Sequence, residues 1–148
     1  MSEKDFDTSY FFEGIADTNT VLLRIVTGAN PIKVMIATEA TGQTLITVDK
    51  GTTYTDDGTE LTINSRNETD DNPTTVTAYR TPTVDTAGTE KEEGFISGGG
   101  QGANRIGGKS TVNGLLVWAP NSDHLIKAKN TSGGEVDIFQ KVIFNELV

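Results

Sequence analysis

The sequence predicts an all-β protein, an antiparallel β-sandwich or barrel of about eight to ten short strands. Three observations carry this. Threonine occurs 23 times, valine and isoleucine 11 times each, and with the aromatics these β-preferring residues make 55 of the 148. Such residues suit pleated, half-buried surfaces. Turn-forming clusters of Gly, Asn, Asp and Pro recur about every 8–12 residues, and no window of helical periodicity exceeds about two turns.

The elements follow in order. Tyr10 to Ile15 opens with aromatics and reads either as a short strand or as an arm that docks elsewhere. After the turn Asp17-Thr18-Asn19, residues Val21, Leu22, Leu23, Ile25 and Val26 form a dense strand with Arg24 inside it. Gly28-Ala29-Asn30-Pro31 turns the chain, because Asn and Gly tolerate positive φ and Pro fixes its own. Ile32, Val34 and Ile36 then alternate with Lys33, Met35 and Ala37, the period of a strand with one solvated side. Ala40-Thr41-Gly42-Gln43 leads into Leu45, Ile46 and Val48, and the two strands together read as a hairpin.

Gly51 to Thr59 is a long polar turn, Leu61 and Ile63 mark a short strand, and Asn64 to Pro73 is loop. Thr74 to Tyr79 alternates again. From Thr81 to Ser110 the pattern dissolves into a long glycine-rich loop with one short strand at Phe95-Ile96. Strands resume at Leu115 to Trp118 and at Leu125 to Lys129. The closing strand, Glu135 to Asn145, places Val136, Ile138, Val142 and Phe144 on one side and Phe139 and Ile143 on the other. Apolar residues on both sides predict a central strand covered on both faces.

Charge divides the chain unevenly. The net is -9, of which residues 49–93 carry -7, residues 1–48 carry -3, and residues 94–148 carry +1. An acidic chain lacks the clustered Lys and Arg that phosphate backbones require, so nucleic acid is excluded as a partner. The acidic middle reads as a loop-rich, solvated stretch; a sharper reading has it facing water while the other parts meet a partner. No cysteine occurs, which removes disulfides, thiolate metal sites and a cysteine nucleophile. No apolar run approaches a membrane span, and Met1-Ser2-Glu3-Lys4-Asp5 lacks the basic start of a secretory signal.

Motifs that would carry chemistry fail on context. Ala103-Asn104-Arg105-Ile106-Gly107-Gly108-Lys109-Ser110 fits the loose phosphate-loop pattern, but Thr111 to Trp118 reads as turn and strand where a helix is needed. Asp56-Asp57-Gly58 and Glu68 to Asn72 cluster oxygens without the ligand spacing of a calcium loop. His124, the single histidine, reads as a surface residue at a turn; its neighbour Asp123 points to the opposite face of a strand and cannot orient it. Asn67-Glu68-Thr69 and Asn130-Thr131-Ser132 match the glycosylation triplet. Trp118, Tyr54 and Tyr79 offer a sugar-stacking platform only if they share an exposed face, and Trp118 reads as core. No catalytic, cofactor or metal residue is assigned, and the chain reads as non-enzymatic.

A resemblance adds a fold family. Gly51-Thr52-Thr53-Tyr54-Thr55-Asp56-Asp57-Gly58-Thr59-Glu60-Leu61-Thr62, leading to Asn64-Ser65-Arg66-Asn67, is one block of it. Arg80-Thr81-Pro82-Thr83-Val84 with Gly88-Thr89, the glycine-rich loop, Leu115-Leu116 to Leu125-Ile126-Lys127-Ala128-Lys129-Asn130, and the ending Phe144-Asn145-Glu146 follow in order. Over residues 30–146 the chain resembles the capsid decoration or cement proteins of tailed bacteriophages.

That resemblance implies a jelly-roll-like sandwich, assembled as a homotrimer on the lattice of the major capsid protein, on the outer surface of a virion and made in the host cytoplasm. The alternative is a carbohydrate-binding sandwich of a tail fibre or baseplate. Residues 1–13 are expected to form an arm and 14–148 a single domain. Phe6, Tyr10, Phe11 and Phe12 are the expected interface, because an aromatic cluster is costly to leave in water. Removing residues 1–13 is then expected to abolish capsid binding while the sandwich stays folded.

Overall fold

The computed structural model describes residues 3–67, 73–97, 108–111 and 116–148. Among these, the β-branched alternation produces strands throughout and no helix. Six long strands frame the molecule: β1 (Glu3–Ile15), β2 (Thr20–Val26), β3 (Ile32–Ala40), β4 (Thr44–Lys50), β13 (Asp123–Asn130) and β14 (Val136–Leu147). Between β4 and β13 come β5 (Thr53–Asp56), β6 (Thr59–Glu60), β7 (Asn64–Ser65), β8 (Thr77–Arg80), β9 (Thr83–Thr86), β10 (Thr89–Ile96), β11 (Gly108–Thr111) and β12 (Leu116–Trp118).

All pairings are antiparallel, and they nest. β1 pairs β14, β2 pairs β13, β3 pairs β11 and β12, and β4 pairs β10. The chain is thus a doubled ribbon, rolled so that β14 also pairs β3 and β13 also pairs β4. The results are two six-stranded sheets, one ordered β11-β3-β14-β1-β7 with β12 also on β3, the other β10-β4-β13-β2-β8-β6. This is a jelly-roll β-sandwich. A third, two-stranded sheet pairs β5 with β9.

Alternation places one side of each long strand in a single core. β14 is buried at every even residue from Val136 to Glu146, and β3 at every even residue from Ile32 to Ala40. β2 presents Val21, Leu23 and Ile25 from the opposite sheet. Phe6 stacks on its cross-strand partner Phe144, with ring centroids 5.4 Å apart.

Four expectations change. The strands predicted to form a hairpin, β3 and β4, lie in different sheets, and residues 41–43 arch between them. Both arrangements bury one side of each strand in the same core, so the apolar pattern does not distinguish them. A side chain on the buried Gly42 would meet Val136 Cγ1 at 2.6 Å where the arch crosses β14.

The loop predicted over 81–110 contains β9, the eight-residue β10 and β11; its remaining residues, 98–107, lie outside the described residues. β14 is central in its sheet as predicted, but Phe139 and Ile143 on its outer side stay half-buried rather than covered.

The division at residue 13 falls inside β1, a strand paired along its length with β14. Phe6 and Phe12 belong to the core and Tyr10 packs against it, so these rings are satisfied within the sandwich. Phe11, on the outer side, is 51% exposed.

Candidate functional site

The outer faces of the two sheets are the surfaces that distinguish this sandwich. On the outer face of the β13 sheet, cross-strand pairing builds one continuous row: Tyr79, Arg24, Leu125, Asp49 and Glu90. Arg24 chelates Asp123 through Nε at 3.1 Å and Nη2 at 2.7 Å, and reaches Asp57 through Nη1 at 2.8 Å. Its guanidinium lies 4.0 Å from the Tyr54 ring centroid and 5.3 Å from that of Tyr79. The hydrogen bonds to Asp123 hold the guanidinium charged against the opposing effect of burial, and burial pushes the Tyr54 phenol up.

Tyr54 comes from β5 and Asp57 from the turn after it. The β5 arm of the ribbon therefore lies over Arg24 in this row, and Leu125, the next residue along it, points away from the core and is 1% exposed. Gly58 permits the close approach: it has φ +92, and a Cβ there would meet Arg80 O at 2.4 Å. Further along, Lys127 Nζ donates to the buried Asp49 carboxylate at 2.7 Å. A dense strand with one arginine at a polar-side position was legible in the sequence; its aromatic and carboxylate partners, from residues 54, 57, 79 and 123, were not.

His124 points the other way, as adjacent strand residues must. The expected surface histidine is a correction: the ring is buried and stacked on Trp118, with centroids 3.9 Å apart. Burial, aided by the nearby Lys50 charge, lowers its pKa to about 4, so the ring is neutral at pH 7.

Ser122 Oγ lies 2.8 Å from His124 Nε2 and 2.6 Å from Ala119 O. The Ser122 hydroxyl is thus shared between the ring and a backbone carbonyl. Thr27 completes the knot, its Oγ1 accepting from Ser122 N at 2.8 Å and donating to Ala119 O at 2.8 Å. Asp123 is committed to Arg24 on the opposite face. The group is built as a brace for the turn at 119–123.

A second buried polar centre closes β14. Glu146 accepts from Asn30 Nδ2 at 2.9 Å, from the hydroxyls of Thr74 and Thr75 at 2.6 Å each, and from Thr75 N at 3.1 Å. Burial would raise this carboxyl, but the donors together outweigh it and hold it below its ordinary value. The strand end is thereby tied to the two loops that pass it.

Asn130 of the glycosylation-type triplet is buried, donating to Ile15 O and Gly134 O and accepting from Ser132 N. Asn67 is at the surface, followed by residues 68–72, which lie outside the described set together with the second acidic cluster.

The phosphate-loop pattern leads into a strand, β11, paired with β3; residues 103–107 lie outside the described residues. Asp56 Oδ1 accepts from Gly58 N at 2.8 Å within its own turn. Trp118, Tyr54 and Tyr79 do not share an exposed face: Trp118 is 6% exposed and core-facing, while both tyrosines engage Arg24. No cluster of three or more His, Cys, Asp or Glu able to hold a metal occurs among the described residues.

The outer face of the β14 sheet contrasts with its counterpart. Cross-strand partners Phe11 and Phe139, and Ile143 and Met35, lie there, with Lys141 between them on β14 and Val117 beyond Lys33. Met35 is 39% and Val117 66% exposed. Among the described residues no ribbon pairs over this face.

No family model matches the chain, and no curated protein does. Among solved structures, the infectious bursal disease virus VP2 subviral particle aligns at a TM-score of 0.21 and 12% identity, over 99% of this chain and 42% of that one. The structure of infectious bursal disease virus Gx strain aligns at 0.16 and 17%, over 96% and 41%. The chain spans about two fifths of the length of those structures. Likenesses at such scores carry no weight here, and the jelly-roll assignment stands on the strand pairings alone.

Proposed function

We propose that this protein is a non-enzymatic structural virion protein that decorates and stabilises the outside of a phage capsid, binding the major capsid protein lattice as an oligomer. The observation that carries the reading is the difference between the two outer faces. One is sealed by the chain's own β5–β9 ribbon, whose surface displays the exposed acids Asp56, Asp57 and Asp85. The other leaves Phe11, Met35 and Val117 open. A decoration protein needs one solvated acidic side and one side against a partner, on a frame that does not slip in register. The family resemblance over residues 30–146 supplies the phage setting. Commitment of Tyr54 and Tyr79 to Arg24 and burial of Trp118 weigh against a sugar-binding platform.

The docking surface in this reading is the open face of the β14 sheet, not an N-terminal arm. Cosedimentation with capsid shells of the encoding phage tests it. Wild-type protein is expected to pellet with the shells, and a double variant Met35→Glu, Val117→Glu to bind at least about tenfold more weakly. Equal binding by the folded double variant would remove the open face from the reading, and absence of wild-type binding would end it.

A further inference from the structure

The outer edge of β1 carries a second, independent recognition element. β7 covers this edge only at Phe6 and Asp7. The bond from Arg66 N to Asp5 O, 2.8 Å, sets the parity: odd residues of β1 aim their backbone groups away from β14. At the other end Gly14 turns back, its φ +67 and its N–H donated to Asp137 Oδ1 at 2.8 Å. Between these limits Ser9, Phe11 and Glu13 direct N–H and C=O outward with no strand partner among the described residues.

The ends of the β13 sheet and β7 are guarded. β10 carries Glu90-Lys91-Glu92-Glu93, and β6 and β7 are two residues each. Charge and shortness are the usual protections of a sheet edge. The segment Ser9-Tyr10-Phe11-Phe12-Glu13 has neither Lys nor Pro; Ser9, Phe11 and Glu13 are exposed, and only Glu13 among them is charged.

We propose that this edge pairs antiparallel with the same edge of a second copy, about a twofold axis through Phe11. The free stretch is symmetric about that residue. Phe11 would exchange both backbone bonds with its counterpart, and Ser9 would do so with Glu13 of the other copy, the alternation an antiparallel ladder requires. No like charges face each other within the stretch, and the two Phe11 rings meet on the outer face, removing the most exposed aromatic of the strand from water. β7 on one copy and the Gly14 turn on the other end the ladder without a clash of strands. With its axis perpendicular to the sheet, the pair presents both open faces on one side. The pairing itself does not depend on the capsid reading.

Sedimentation of the full chain between about 1 µM and about 1 mM tests this, the range in which a short edge contact associates. The wild type is expected to shift from one to two chain masses. Ser9→Pro removes an outward N–H and leaves the β14 ladder intact, so it is expected to stay folded and to associate at least about tenfold more weakly. Phe11→Lys, which alters only an exposed side chain, is expected to do the same and decides the matter if Ser9→Pro misfolds. Amides of Ser9 and Phe11 are expected to gain protection with concentration, while those of Tyr10 and Phe12 are protected throughout. A single chain mass at every concentration, a mass of three chains, or undiminished pairing by a folded Phe11→Lys would each overturn the proposal. A threefold mass with capsid binding intact would leave the decoration reading standing without this edge.

Discussion

Leu125 and Met35 hold equivalent places. Each points away from the core, from a strand inside its sheet, yet Leu125 is 1% exposed and Met35 39%. The difference lies in the excursion between β4 and β10. Both of those strands belong to the β13 sheet, so a segment that leaves one and returns to the other reaches that sheet's outer face over the shortest path. It lays β5 and β9 there and sends only β7, two residues long, to the other sheet. Of the described acids of the middle third, Asp56, Asp57 and Asp85 face water on or beside the ribbon, while Asp49 on β4 is buried and paired to Lys127.

The comparison can be broken most completely by removing β1. Deletion of residues 1–13 takes away Phe6 and Phe12 of the core and the strand paired along β14. Loss of cooperative unfolding in urea is expected, where an independent arm would have left the sandwich intact. Leu125→Ala comes next: buried beside Arg24, it is expected to cost about 3–4 kcal/mol in urea denaturation.

Acid acts on a similar scale. His124 has its folded pKa lowered to about 4 from 6.5, so below pH 6.5 the unfolded chain takes up a proton that the folded chain refuses. Stability is therefore lost as pH falls from 6.5 toward 4, by on the order of 3 kcal/mol. His124→Gln should flatten that window of the pH–stability curve. Glu146, held low in the fold, adds its own loss only below its unfolded value of about 4.5.

Arg24→Met leaves Asp123 without its chelating partner and unstacks Tyr54. It is expected to cost about 2 kcal/mol and to raise amide exchange across β5 and β9 more than across β14. Met35→Ala on the open face is the smallest effect, within about 0.5 kcal/mol. A cost for Met35→Ala equal to that for Leu125→Ala would show the two faces to be covered alike.

Strand positions and facing were legible because they depend on local alternation: β2, β3, β13 and β14 fall where the apolar period places them. Opposed facing of Asp123 and His124 followed from the same rule. What each then touched was not legible. Arg24 meets Tyr54, Asp57, Tyr79 and Asp123, which lie 30 to 99 positions away along the chain, and no local pattern records such partners. The aromatic run Tyr10-Phe11-Phe12 looked like an arm because its polar neighbours and charged start dilute the alternation. Burial of Phe12 and exposure of Phe11 became distinguishable only once β14 was in register.

The sequence by itself determined that this is an all-β chain, where β2, β3, β13 and β14 run, and that its acid is gathered in one stretch. Those properties are set by backbone preference and side-chain period, which act over a few residues. Tertiary structure alone decided that β3 and β4 part into different sheets, that β1 is a core strand with a free edge, and that the acidic stretch seals one face and leaves the other open. Each of those outcomes depends on which distant strand supplies the ladder, and antiparallel hydrogen bonding is indifferent to sequence distance.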